Sequence, residues 1–65
     1  MTTNAKNKLF LVFRQLESSN QQSFEFNVTD LNFEEKESVR YSLMNKGIRA
    51  EFYTELGKSL MGVWV

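Results

Sequence analysis

Few residue types in this chain could perform catalysis or hold a metal ion. The 65-residue sequence contains no histidine and no cysteine. This excludes thiolate and imidazole metal sites, disulfide bonds and nucleophiles activated by histidine. The hydroxyls of Ser38, Ser42 and Ser59 therefore have no imidazole to activate them, and the three glycines are too scattered for a phosphate-binding loop. We predict that the protein is not an enzyme and that it binds no cofactor and no metal.

Three carboxylates lie close together in the sequence, at Glu34, Glu35 and Glu37. Paired carboxylates can serve acid–base chemistry or bind a divalent cation. Adjacent helical residues point in different directions, however, and the helix dipole favours negative charge in the first turn of a helix. We interpret this cluster as the beginning of a helix.

Aromatic side chains interleaved with lysine and arginine suggest another chemistry, the stacking of nucleic-acid bases. Eight basic and eight acidic side chains give a formal net charge of zero, so the chain has no basic field that collects phosphates. The stacking rings would be Phe10, Tyr53 and Trp64, with Arg14 and Arg49 beside them. Glu25 and Glu51 would lie on the same face. These charges favour contact with another protein over contact with nucleic acid.

The apolar pattern predicts the elements that would position these side chains. Residues 1–7 are small and polar and predict a disordered leader, which leaves one small domain over residues 8–65. The segment 8–16 is apolar on both faces, whereas 24–28 alternates with the period of a half-buried strand. Strands are predicted over 8–16, 24–28, 48–55 and 60–65.

A helix is predicted between the two strand pairs, from about Phe33 to Lys46. Asn32 and Glu35 have the spacing of a capping box, and Gly47 is expected to end the helix with a positive φ, followed by a Schellman contact from Ile48. Its apolar stripe is predicted to contain Val39, Leu43, Phe33, Met44 and the aliphatic part of Arg40. The predicted fold is α+β with the order ββαββ. It has a four-stranded, mainly antiparallel sheet in the order 2-1-3-4, with the helix packed on one face.

In the second hairpin, Gly57-Lys58 is predicted at the tip of a two-residue turn. This register pairs Phe52 with Val63, and it pairs Tyr53 with Gly62 so that the tyrosine ring covers the glycine. Because side chains alternate along a strand, one face is expected under the helix and the other outside. The inner set is Ile48, Ala50, Phe52, Met61, Val63 and Val65, and the outer set is Arg49, Glu51, Tyr53, Leu60 and Trp64.

The register of the first hairpin is left open by the sequence. A loop with an even number of residues places Leu9, Leu11 and Phe13 under the helix, and an odd number places Phe10, Val12 and Leu16 there instead. We prefer the even loop because it keeps Arg14 on the outer face.

The even loop creates an apolar and aromatic sheet face that no helix covers. Its members are Phe10, Val12, Arg14, Leu16, Arg49, Tyr53, Leu60 and Trp64. Large apolar faces on small proteins usually mark interfaces, so this face predicts binding to another protein and formation of a homodimer.

The predicted function is therefore that of a small protein-binding regulator or inhibitor. Short chains without catalytic residues are often phage or mobile-element products that act as host-factor inhibitors, antitoxins or adaptors, which is an association with size and composition alone. The alternative is a small nucleic-acid-binding regulator that stacks single-stranded bases on the same face. No apolar run approaches the roughly 20 residues that span a bilayer, so we expect no membrane partner and a cytoplasmic location.

Overall fold

Two helices and a three-stranded sheet make up the computed structural model, which describes all 65 residues. The elements are α1 (Thr3–Ser18), β1 (Ser23–Asn27), α2 (Phe33–Met44), β2 (Arg49–Glu55) and β3 (Lys58–Trp64). The strands form one antiparallel sheet in the order β1-β3-β2. The chain is thus a small α+β fold, and the predicted ββαββ arrangement with a four-stranded sheet in the order 2-1-3-4 is wrong.

The difference arises in the first segment, which is a helix and not a strand. Thr2 is the N-cap of α1, and its hydroxyl accepts a hydrogen bond from the backbone N–H of Ala5 at 3.2 Å. Residues 3–7, which the sequence predicts to be a disordered leader, form the first turns of this helix. Apolar residues then recur at helical spacing and pack on the core, at Ala5, Leu9, Val12 and Leu16. Because 8–16 is not a strand, the predicted first hairpin and its two possible registers do not exist.

The predicted start of helix α2 and the positive φ of Gly47 after it are confirmed. The Asn32 side chain accepts a hydrogen bond from the Glu35 backbone at 2.8 Å, and the Glu35 side chain accepts one from the Asn32 backbone at 2.9 Å, which completes the capping box. The helix ends at Met44, two residues before the predicted Lys46. Gly47 has a φ of +76°.

The chain leaves α2 through a Schellman motif. The Ile48 backbone N–H donates to the Leu43 carbonyl at 2.9 Å, and the Gly47 N–H donates to the Met44 carbonyl at 2.9 Å. These two bonds satisfy carbonyls that the end of the helix would otherwise leave without partners. The sequence prediction of a left-handed glycine followed by a contact from Ile48 is confirmed.

Gly47→Ala is expected to destabilise the protein by about 1–2 kcal/mol, because a Cβ is disfavoured in the left-handed region. No atom lies within 4 Å of the position that this Cβ would take, so the cost should be conformational and not a clash with neighbours. Urea unfolding of Gly47→Ala and of the neighbouring control Lys46→Ala would measure the difference. Equal unfolding midpoints would contradict the left-handed helix end.

The core lies between the two helices and one face of the sheet. Helix α1 packs on α2, and α2 packs on β2. Two rows of paired residues cross the inner face of the sheet, Phe24–Val63–Ala50 and Phe26–Met61–Phe52. The buried apolar residues are Ala5, Val12, Val28, Leu31, Val39, Leu43, Ala50, Met61 and Val63.

The β2–β3 hairpin turns one residue earlier than predicted. Leu56 and Gly57, with φ of 51° and 77°, are the two turn residues, as a type I′ turn requires. Glu55 consequently pairs with Lys58, which the sequence reading had placed in the turn.

This change moves the pairing of β2 and β3 by two residues. Ala50, rather than Phe52, lies opposite Val63, and Tyr53 lies opposite Leu60, rather than Gly62. A shift of two residues leaves every side chain on its original face. The predicted division of this hairpin into an inner and an outer face is therefore confirmed for the residues of the two strands, although the individual pairs are wrong. Val65, which was predicted inside, lies beyond the end of β3 and is 69% exposed.

Candidate functional site

The eight side chains predicted to share one face occupy three different places. Arg49, Tyr53, Leu60 and Trp64 lie on the side of the sheet turned away from the core. Phe10 and Arg14 are exposed on α1, whereas Val12 is fully buried and Leu16 is half-buried against the core. The single eight-residue face is not formed, because its first half required a strand where the chain is helical.

The sheet face turned away from the helices consists of three rows of residues. We call it the outer sheet face, and it contains Ser23–Trp64–Arg49, Glu25–Gly62–Glu51 and Asn27–Leu60–Tyr53. The pair Lys58–Glu55 extends it on β3 and β2. Trp64 and Tyr53 remain exposed there, and Leu60 is half-buried. The lack of a side chain at Gly62 leaves space at the centre of this face.

The indole of Trp64 fills that space. A Cβ built on Gly62 would lie 2.7 Å from Cη2 of the Trp64 ring, so a larger residue here would displace the indole from this position. The guanidinium carbon of Arg49 lies over the ring, 5.6 Å from its centroid, and Arg49 Nη2 is 3.0 Å from Glu51 Oε1. Gly62, which the sequence predicts to lie under Tyr53, is thus covered by Trp64. The Trp64 side chain contacts Gly62 on the sheet and Arg49 beside it.

Tyr53 and Glu25 form a second ordered contact on the outer sheet face. The phenolic hydroxyl of Tyr53 on β2 donates a hydrogen bond to Glu25 Oε2 on β1, so the side chains bridge the two edge strands across β3. This hydrogen bond, together with desolvation and the negative charges of Glu25 and Glu55, raises the pKa of Tyr53 to about 12.

Glu25→Gln is expected to lower the pKa of Tyr53 from about 12 toward its ordinary value of 10.0, because the hydrogen bond to a carboxylate is lost. A raised pKa means that this contact stabilises the fold below pH 10 and that the contribution is lost as the pH rises through about 12. Tyrosinate absorbance titration in a Tyr41→Phe background would follow Tyr53 alone. Glu51→Gln is the matched control, and an equal decrease in pKa for both variants would contradict the assigned bond.

An open cleft separates the C-terminal half of α1 from the connection between α2 and β2. Its volume is about 700 Å³, and it brings Phe10 and Arg14 together with Phe13, Glu17, Lys46 and Ile48. The sequence analysis did not predict this cleft, because it predicted residues 8–16 to be a strand of the sheet. Only the helical spacing of Phe10, Phe13 and Arg14 could have indicated it.

Helix α2 also exposes apolar side chains that the sequence reading assigned to its buried stripe. Val39 and Leu43 are buried as predicted, but Phe33 is 74% exposed and Met44 is 53% exposed. Together with the exposed Tyr41, they form what we call the α2 stripe. Glu37 and Arg40 lie among them, with 3.8 Å between Glu37 Oε2 and Arg40 Nη1.

Glu35, in the acidic cluster at the start of α2, has a structural role. Glu35 accepts a hydrogen bond from the hydroxyl of Thr2 and another from the backbone of Asn32, and these bonds lower the pKa of its carboxyl. Their contribution to stability is present at neutral pH and is lost as the pH falls through this lowered pKa. Thr2 and Glu35 thereby join α1 to α2. No group of three or more acidic side chains converges in a way that could hold a metal ion.

Neither helix has the length and apolar character needed to cross a membrane. Comparison of the chain with protein-family models, with curated proteins and with solved structures finds no match. The function is therefore argued from the surfaces of the chain itself.

Proposed function

We propose that the protein is a small protein-binding regulator or inhibitor that docks on its partner through the outer sheet face. The observation that carries this proposal is the side chain of Trp64, which is held by Gly62 and Arg49 and is nevertheless 41% exposed on a face without helices. An aromatic ring that is already ordered loses little conformational entropy on binding. Tryptophan, tyrosine and arginine are also the residues that most often dominate binding energy at protein interfaces.

The charges around the indole indicate the chemistry of the partner. Glu25 and Glu51 lie on either side of Gly62, and Glu55 extends the same face of β2. Arg49 is paired with Glu51, and Lys58 lies opposite Glu55, so the carboxylate of Glu25, which is hydrogen-bonded to Tyr53, is the charge on this face without a basic neighbour in the pairing. A complementary protein surface would offer an apolar pocket for the indole edge with lysine or arginine side chains at its rim.

The same geometry favours a protein over single-stranded nucleic acid. A base that stacked on Trp64 would compete with Arg49 for the ring. Its phosphates would also approach the carboxylates of Glu25 and Glu51, in a chain with a formal net charge of zero.

The test begins with affinity capture on the immobilised protein, identification of the captured protein, and titration of that protein after purification. Trp64→Ala should weaken the binding by about 30-fold or more, which corresponds to the roughly 2 kcal/mol typical of a central interface residue. Phe10→Ala is the matched control, because Phe10 is an exposed aromatic residue on α1. Circular dichroism of both variants would verify that each remains folded.

Two outcomes would contradict the proposal. If Phe10→Ala abolishes binding while Trp64→Ala does not, the docking surface is the cleft beside α1. If the protein instead binds a single-stranded oligonucleotide with an affinity that falls steeply with salt and is lost in Trp64→Ala, the face stacks bases.

A further inference from the structure

The outward edge of β2 presents backbone groups without partners. Two backbone hydrogen bonds show which residues of β3 and its end face β1. The Val28 N–H donates to the Ser59 carbonyl, and the Val65 N–H donates to the Gln22 carbonyl, both at 2.9 Å. Alternate residues of a central strand bond to opposite sides, so residues 58, 60, 62 and 64 bond to β2. Their partners on β2 are 55, 53, 51 and 49, which leaves the N–H and C=O groups of Ala50, Phe52 and Thr54 pointing outward. No other backbone or side chain hydrogen-bonds to these groups.

The opposite edge of the sheet, formed by β1, is partly protected from pairing with another strand. Strand β1 has only five residues, and at its end Lys8 Nζ donates to the carbonyl of Asn27 at 2.8 Å. Short length and a lysine across the edge are features that protect edge strands from pairing. Strand β2 has seven residues, and no side chain bonds to its outward backbone groups. Its charged side chains, Arg49, Glu51 and Glu55, would repel a strand whose charges do not match them. Of the two edge strands, β2 is thus the one whose unpaired backbone groups can bond to another strand.

We propose that a second copy of this chain pairs antiparallel with β2, with Phe52 opposite Phe52 of the second copy, so that the dimer has one continuous six-stranded sheet. The charges select both this occupant and its register. Centring the pairing on Phe52 places Arg49 opposite Glu55 of the second copy, and the two-fold axis repeats this pair. Within one chain Arg49 bonds to Glu51 and Glu55 lies opposite Lys58, so the new pair extends the row of opposite charges from Lys58 and Glu55 to Arg49 of the second copy. Sliding the register by two residues would place Glu51 opposite Glu51 or opposite Glu55, which is repulsive.

The α2 stripe is continuous with this edge. Met44 and Arg40 line one groove with residues 47–51 and a second with Phe33, Glu37 and Tyr41. Helix α2 runs antiparallel to β2, because only the short 45–48 connection separates them and they pack together. A two-fold axis at Phe52 would therefore bring the two α2 helices side by side in opposite directions.

This arrangement of the helices is also self-complementary. It brings Arg40 near Glu37 of the second copy and Phe33 near Met44 of the second copy, so that exposed apolar side chains become covered. Only 11 of the 65 residues are buried in the single chain, and a dimer would enlarge this small core. The strand of an unrelated peptide could bond to the exposed backbone groups. Only a second copy of this chain places opposite charges against Arg49 and Glu55 on β2 and against Arg40 and Glu37 on α2 at the same time.

Analytical ultracentrifugation of the purified protein at micromolar concentration should show a dimer. Glu55→Arg and Arg49→Glu should each weaken dimerisation by about tenfold or more, because each places like charges opposite one another at two symmetric positions. The double variant should restore dimerisation, which no role within one chain would explain. Glu17→Arg, an equal charge change at an exposed position of α1, is the control and should leave the dimer unchanged.

Two further measurements locate the interface. Met44→Lys should weaken the dimer while Leu11→Lys should not, although the two side chains are similarly exposed, at 53% and 51%. Amide hydrogen exchange should slow at Ala50, Phe52 and Thr54 as the dimer forms.

A monomer at all concentrations would overturn the proposal, and so would a dimer that the charge changes do not affect. Protection of these three amides only after a foreign peptide is added would assign the edge to a different partner. The experiments use the purified chain alone, so their outcome does not depend on the proposed docking through Trp64.

Discussion

Val12→Asp is expected to unfold the protein. Val12 is 0% exposed on α1 and belongs to the apolar core, where a carboxylate would lose its hydration. Burying an unpaired polar group while losing the apolar side chain costs about 4 kcal/mol or more, which approaches the total stability of so small a domain. Far-ultraviolet circular dichroism and thermal unfolding would measure the loss.

Phe10→Asp is the matched control on the same helix. Phe10 is 64% exposed, so this variant should remain folded with nearly unchanged stability. The comparison separates a helix from a strand, because Phe10 and Val12 would share one face of a strand and lie on different sides of a helix. Similar losses of stability in the two variants would contradict α1.

The segment around Val12 shows why the first element could not be predicted from local pattern alone. Residues 9–13 are five consecutive apolar residues, and such a run is compatible with a buried strand and with one side of a helix. The decisive signals lay upstream, where Thr2 caps the helix and Ala5 begins its buried side. Both belong to a polar segment that composition alone marks as a disordered leader.

The later elements could be predicted because several local signals agree there. The capping box at Asn32 and the glycine at position 47 define both ends of α2 independently of tertiary packing. In the following hairpin, alternation fixed which side chains lie inside even though the turn was misplaced by one residue. The position of the turn depended on Leu56 adopting a positive φ, which is uncommon for a branched side chain.

Of the candidate site, only the part on the β2–β3 hairpin could be predicted from the sequence. Arg49, Tyr53, Leu60 and Trp64 share the outer sheet face because they belong to one correctly predicted hairpin. The contact between Trp64 and Gly62 lies within β3 and was missed because the predicted register put Tyr53 opposite Gly62. The bridge from Tyr53 to Glu25 depends on the strand order β1-β3-β2. That order follows from packing two helices on three strands, which the sequence pattern did not indicate.

Met61→Ala is expected to destabilise the protein by about 2–5 kcal/mol. Met61 is fully buried on the central strand β3, with Phe26 and Phe52 opposite it on the two edge strands. Truncation would remove the side chain that joins both halves of the inner face and would leave a cavity beneath the helices. Urea unfolding followed by circular dichroism would measure the change in the free energy of unfolding.

Leu60→Ala, one residue earlier on the same strand, is the control for this assignment of faces. Leu60 lies half-buried on the outer sheet face between Asn27 and Tyr53, so its loss should cost about 1 kcal/mol or less. A larger loss for Leu60→Ala than for Met61→Ala would mean that the two faces of the sheet are exchanged. Trp64 would then belong to the core, because it shares the face of Leu60, and the proposed docking surface would be lost with it.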